Sequence, residues 1–283
     1  NDSALAEPLS GALSSVQGPR EKGSAPSGHG FGTAPVFLAS ISTILGAVLF
    51  LRFGYAVGNV GMVGVLLIVL IGHLVTLPTA LALSEIATNR KVEGGGEYFI
   101  ISRSFGRSIG GTIGIGLYVS QAISIAFYMI AFAEAFRPLA PAFETWLGIA
   151  FDPRWISLPA TALLVLVVLT RGADLGVRAL WGIVAVLLIS LVMFFAGRPL
   201  PEAATEPLAI LHGIERGDAF MMVFAIVFPA FTGMTAGVGL SGDLRNPRRS
   251  IPLGVLSATA IGLVVYVAVV AKLAFSASAA QLA

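Results

Sequence analysis

Two apolar stretches of this chain carry helix-breaking residues where hydrocarbon would surround them. The first is Ser40-Ile41-Ser42-Thr43-Ile44-Leu45-Gly46-Ala47-Val48-Leu49-Phe50 and the second Val227-Phe228-Pro229-Ala230-Phe231-Thr232-Gly233-Met234-Thr235-Ala236-Gly237. A helix that breaks inside a bilayer exposes backbone N–H and C=O groups that must find partners, which proteins tolerate where the break is buried or lines a cavity. The chemistry on offer is coordination of small ions by backbone. Freed carbonyls suit a cation, and the amino end of the following half-helix, with open N–H groups and a positive dipole end, suits an anion.

In the first stretch Gly46 permits non-helical backbone. The plainer alternative is a continuous helix in which Gly46 serves close packing, since glycine is frequent in membrane helices. In the second, Pro229 removes a donor and crowds the preceding turn, and Thr232-Gly233 follows three residues later. A simple proline kink is the alternative there. Two breaks in corresponding places favour a binding site. Tyr128 lies mid-span, where its hydroxyl needs a partner: a cation at the breaks, or a neighbouring helix.

Other candidates carry less. His73 reads as neutral and satisfied, Glu85 lies beside Arg90 and Lys91, and Glu134 approaches the outer surface. Gly239-Leu240-Ser241-Gly242 looks like a membrane-protease serine motif, but His29, His73 and His212 all precede Ser241, so no histidine base follows it and the serine reads as a helix cap. Gly94-Gly95-Gly96 lacks the lysine of a phosphate loop.

The elements that must position these residues are membrane helices. The 283 residues are 56% hydrophobic and 11% charged, with mean hydropathy +0.90, against roughly 25% charge in soluble domains. Cysteine is absent, which excludes disulfides and thiolate chemistry. A net charge of +2 gives no argument for nucleic acid. Apolar runs at about 34–57, 61–86, 109–136, 156–170, 177–197, 218–240 and 252–275 make seven candidate spans, the fourth the shortest. With the amino terminus inside, eleven Lys/Arg face in and four face out, which sets the orientation in a cell membrane. Arg52 and Lys272 sit near span ends, where they snorkel.

Residues 1–33 lack an apolar core and read as a disordered cytoplasmic tail, and Asn1 in place of Met points to a processed chain or a piece of a longer one. Residues 198–217 read as a solvated outer loop, and Glu93 to Arg103 as a glycine-hinged amphipathic segment along the inner face. The first and sixth spans are both interrupted, as in two inverted five-helix repeats. On that reading 34–197 is the first repeat and 218–283 the start of a second, which makes the chain incomplete as a transporter.

Three motifs together resemble the cation-chloride cotransporter family of the amino acid–polyamine–organocation superfamily. Gly46 to Gly54 is similar to "G-V-x-L-F-L-R-x-G". The run "E-G-G-G-E-Y-F-I-I-S-R-S-F-G" from Glu93 is similar to "R-G-G-G-A-Y-Y-L-I-S-R-S-L-G". Pro229 to Pro252 is similar to "P-A-x-T-G-I-x-A-G-x-x-x-S-G-D-L-x-x-P-x-x-x-I-P". The resemblance runs from about 33 to 275 and implies a prokaryotic-type member, cut short after about the seventh helix. It implies an all-α, LeuT-like inverted-repeat fold with discontinuous first and sixth helices.

It also implies a symporter, not an enzyme, that moves chloride with potassium, sodium or both, electroneutrally by alternating access, and Tyr128 at the position held by tyrosine in potassium-carrying members favours potassium. No cofactor is implied, and the partners are inorganic ions and the bilayer, with a homodimer as an allowed assembly. Carried over by position, potassium would be held by the carbonyls of Thr43, Ile44 and Pro229, with Thr232 and the Tyr128 hydroxyl. One chloride would sit at Gly46, Ala47 and Val48, and a second at Gly233, Met234 and Thr235. Thr43 stands where animal members carry asparagine, a change a carbonyl ligand survives. A sodium site and part of the second chloride site would need helices beyond this sequence. The competing readings are an amino acid permease of the same superfamily, disfavoured by the bulky turn Ile44-Leu45-Gly46-Ala47, and a non-transporting membrane fragment or structural partner. An embedded hydrolase is a distant third for want of a base.

Overall fold

The computed structural model describes residues 30–89, 95–148, 150–198, 210–211 and 213–283. The expected tail up to residue 29, the Glu93-Gly94 part of the amphipathic segment, and most of the 198–217 loop lie outside the described residues.

Helix α1 spans Thr33–Ile44 and ends in a two-residue break at Leu45-Gly46, where Leu45 leaves helical geometry (φ −85°, ψ 37°). Helix α2 resumes at Ala47 and runs to Asn89, but it is two helices meeting at Gly61 (φ 73°, ψ 170°). Only glycine adopts that backbone cheaply. The turn is sharp. Phe53 and His73, roughly 30 Å apart along a straight helix, both pack on Tyr266, with centroids at 5.2 and 5.9 Å. The first and second expected spans are therefore the arms of a helical hairpin.

Helix α3, Gly96–Glu134, is also doubled, at Gly106 (φ 86°, ψ 175°). A Cβ on Gly114 would lie 3.1 Å from the Tyr98 ring, so the 96–105 arm lies back along the 107–134 arm. A 3-10 turn, Arg137–Leu139, and the short helix α4, Ala140–Leu147, lead to α5, Arg154–Ala196. The spans expected separately at 156–170 and 177–197 form this one 43-residue helix. The residues between the two expected spans, Gly172 and Gly176 among them, instead continue the helix, as isolated glycines can. Helix α6, Phe220–Val227, then tightens at Phe228 into a 16-residue 3-10 segment, Phe228–Asp243. Helix α7 is Pro247–Ser276 and α8 is Ala279–Leu282. Ser241 lies buried inside the 3-10 segment; the residue capping α7 is Asn246, so the expected cap at Ser241 is corrected.

Among the described residues the chain is helical apart from a parallel bridge, Phe31 to Leu244, closed by Phe31 N–H to Asp243 O (2.8 Å) and Arg245 N–H to Phe31 O (2.9 Å). The core is α1 wrapped by α2, the 3-10 segment and α7. In a bilayer such packing depends on small residues that let backbones approach. A Cβ on Gly254 would lie 2.6 Å from Val36, and one on Gly233 would lie 2.7 Å from the Thr43 carbonyl carbon. α3 and α5 leave most of their apolar side chains exposed, Tyr118 and Leu169 among them. Five described stretches are long and apolar enough to cross a membrane. Arg154–Thr170 is shorter, and the hinged Thr33–Asn89 holds two of the expected spans.

Candidate ion site

The break in α1 and the start of the 3-10 segment face each other across a cavity of about 270 Å³. Thr43, Ile44, Tyr128, Pro229 and Thr232 all border it, as do Gly46, Ala47 and Val48. α3 closes the other side with Ile123, Ser124 and Phe127.

Hydrogen bonds fix how these groups present themselves. The Thr43 hydroxyl donates to Ala39 O within its own helix (2.8 Å), so what it offers a ligand, like its carbonyl, is acceptor lone pairs. The Thr232 hydroxyl donates to Pro229 O (2.9 Å). With its hydrogen engaged in that bond, the Thr232 oxygen presents lone pairs, the polarity a cation needs. Just past the break, on the same cavity, α2 begins at Ala47 with N–H groups that have no partner within their own helix.

Tyr266, fully buried on α7, holds the two sides together. Its single O–H is shared between Ile44 O at the end of α1 and, at 2.8 Å, Ala230 O in the 3-10 segment. Its ring is stacked on Phe53 and set edge-on to Phe231 at 5.2 Å. His73 packs on the same cluster with Nδ1 2.8 Å from Val69 O. A second tie runs from the Ser40 hydroxyl to Met234 O (2.9 Å), buried between α1 and the 3-10 segment.

Two further cavities continue from the centre. One, about 540 Å³, shares Phe127, Ile226 and Pro229 with it and is bordered by Arg52 and Tyr55. There Arg52 pairs with Glu134 at 2.9 Å, and the Tyr55 hydroxyl donates to Asp218. The other, about 780 Å³, shares Thr43, Ser124, Tyr128 and Thr232 with the centre. It is bordered by Glu97, Gln121, Gly233 and Thr235, and Glu97 hydrogen-bonds the Thr235 side chain. Glu97 lies ahead of the Gly106 hinge.

The five potassium candidates and the first three chloride candidates thus border one cavity. Gly233 and Thr235 border the adjoining one. Met234 borders neither; its side chain is buried, leaving only its backbone for a ligand. Sequence reasoning missed Tyr266 as a site residue. The argument applied to Tyr128, a hydroxyl midway along an apolar span, holds for it equally. Glu97 was read only as part of an amphipathic turn, because nothing in the sequence brings it to Thr235.

Comparison with known proteins gives a consistent assignment. The sequence model of the amino acid permease family matches residues 35–279. Solute carrier family 12 member 1 of Mus musculus is 33% identical over 247 residues, 83% of this chain and 23% of that protein. Solute carrier family 12 member 2 of Homo sapiens is 31% identical over 83% of this chain and 20% of its own length. Member 2 of Danio rerio is 34% identical, with 83% and 22% covered. The chain therefore spans less than a quarter of the length of these relatives. The family resemblance read from the motifs is borne out.

Proposed function

This chain belongs to the amino acid permease family, and we propose that it holds the ion-binding helices of a symporter that moves potassium with chloride, electroneutrally, by alternating access. The observation that carries the reading is the pairing within one cavity of about 270 Å³. Thr43, Ile44, Pro229, Thr232 and Tyr128, which could offer carbonyl and hydroxyl oxygens, border the same cavity as the amino end of α2 at Gly46, Ala47 and Val48. The lone pairs of carbonyl and hydroxyl oxygens attract a cation, and a helix amino end attracts an anion. Placed side by side, the two ions cancel each other's field, which lowers the cost of carrying either through a low-dielectric interior.

Gly233, Met234 and Thr235 are proposed for a second anion through their backbone, beside the adjoining cavity. Residues 34–197 are proposed as one repeat and 218–283 as the start of its inverted partner, with the amino terminus inside, on the charge asymmetry of the loops. The family match also favours a second reading, transport of a small amino acid. Against it, the turn after α1 carries Leu45, which is buried rather than open to the cavity.

The test is rubidium uptake into proteoliposomes holding the full gene product, with chloride or gluconate outside and the membrane potential clamped. Chloride-dependent uptake that ignores voltage supports cation–chloride symport. Uptake indifferent to chloride and suppressed by free amino acids would transfer the site to the permease reading.

A further inference from the structure

The two outlying cavities join the centre through different chemistry. Among the described residues, those shared by the central cavity and the one of about 540 Å³ are Phe127, Ile226 and Pro229, whose side chains are all apolar. Those shared with the cavity of about 780 Å³ are Thr43, Ser124, Tyr128 and Thr232, and every one carries a hydroxyl. Ser124 alone among these four lies outside the potassium set proposed above. Three of the hydroxyls have their hydrogen engaged within their own segment: Thr43 on Ala39 O at 2.8 Å, Ser124 on Ser120 O at 2.9 Å and Thr232 on Pro229 O at 2.9 Å. What they offer this neck is lone pairs, which suit a cation and not a halide.

The polarity continues away from the centre. On α3, Tyr128, Ser124 and Gln121 follow at spacings of four and three residues, so they share one face about a helical turn apart, and all three border the wider cavity. The two outlying cavities also lie toward opposite ends of the fold. Arg52 and Tyr55, on the narrower one, precede the turn at Gly61. Gly95 to Tyr98, on the wider one, begin α3 after the second arm of α2 has carried the chain from Gly61 to Asn89, about 40 Å of helix.

We infer that Ser124 completes a cation station in the hydroxyl-lined neck, together with Thr43, Tyr128 and Thr232, where an alkali cation pauses between the central site and the face at which α3 begins. The inference rests on the symport reading of the central cavity. One cation is handed from backbone carbonyls to hydroxyls, so the charge carried per cycle is unchanged. The apolar neck on the other side offers no matching station, and cation binding is therefore unequal at the two faces.

The experiment titrates rubidium transport in right-side-out and in inverted membrane vesicles holding the full gene product, at saturating chloride, for the wild type, Ser124→Ala and Ser124→Thr. Ser124→Ala should raise the rubidium half-saturation about tenfold at the face where α3 begins, as for one lost polar contact to a charged group. The opposite face and the chloride half-saturation at both faces should keep their wild-type values. Ser124→Thr retains the hydroxyl and should match the wild type. An active Ser124→Ala with wild-type values at both faces overturns the inference and leaves symport standing. An equal rise at both faces also overturns it, because Ser124 would then belong to the central site. So does a loss of transport in correctly inserted Ser124→Ala that Ser124→Thr shares, since the position would then matter for its packing and not for its oxygen. Wild-type vesicles that take up no rubidium remove the cation reading of the central cavity, and the inference with it.

Discussion

Replacing Tyr266 with Phe deletes one oxygen and leaves the ring in place. The ring is fully buried, stacked on Phe53 at 15° and edge-on to Phe231 at 84°, so its packing survives the change. What is lost is the donor shared by Ile44 O and Ala230 O. Stripping a buried acceptor of its donor costs about 1–3 kcal/mol. Ile44 and Ala230 both border the central cavity, where water can replace the hydroxyl, so the lower end of that range applies. Since the hydroxyl ties together the two sides that supply the cation's carbonyls, a loss of about 1 kcal/mol of pre-organisation corresponds to roughly fivefold in apparent affinity. Rubidium uptake titrated against rubidium should show a half-saturating concentration raised about fivefold for Tyr266→Phe, with chloride half-saturation changed less and a lower unfolding midpoint in detergent. Wild-type half-saturation for both ions in a normally inserted variant would refute the reasoning, because the clasp would then be irrelevant to the site.

Tyr128→Phe should weaken rubidium dependence more than chloride dependence; equal loss of both counts against Tyr128 as a cation ligand. Gly233→Ala should impair uptake for both ions, since its Cβ would lie 2.7 Å from the Thr43 carbonyl carbon and 2.8 Å from the Ile44 nitrogen, backbone that cannot move aside without opening the α1 break. Normal kinetics in that variant would show that the two segments separate freely. A double-mutant cycle on Arg52→Ala and Glu134→Ala, monitored by thermal unfolding, should give a coupling of about 1 kcal/mol or less, as for a partly solvated ion pair. A coupling of several kcal/mol would mean that the pair is sealed from water.

The breaks at Leu45-Gly46 and Phe228-Pro229 were legible because glycine and proline act through the local backbone, which needs no partner to be understood. The division of the first two spans was legible, since the apolar runs 34–57 and 61–86 are together too long for one crossing, but that the turn rests on a positive φ at Gly61 was not. The form of the second break was not legible. Pro229 forbids the ordinary α pattern but does not say whether the chain will unwind or tighten, and the close seating of Gly233 and Gly237 on α1 accompanies the 3-10 outcome. Nor was the Arg154–Ala196 junction, where residues suited to a loop continue a helix. Tyr266 and Glu97 escaped as site residues because both depend on contacts across the fold: Tyr266 lies 222 residues from Ile44 and 36 from Ala230. Residues that bind through local backbone can be read from a sequence, whereas those that act by bridging elements need the packing.

The 3-10 segment also stores distance. Its 16 residues, at about 2.0 Å of rise each, reach roughly 32 Å, where an α-helix of the same residues would reach roughly 24 Å. The difference of about 8 Å is axial travel available without breaking the chain or recruiting a loop. Each run of four residues that rewinds draws the far end in by about 2 Å. The Phe31–Leu244 bridge anchors that far end to the start of α1, so rewinding would be felt there as a pull along the helix axis. The Tyr266 hydroxyl pins the opposite, near end of the segment at Ala230, so the segment is held at both ends.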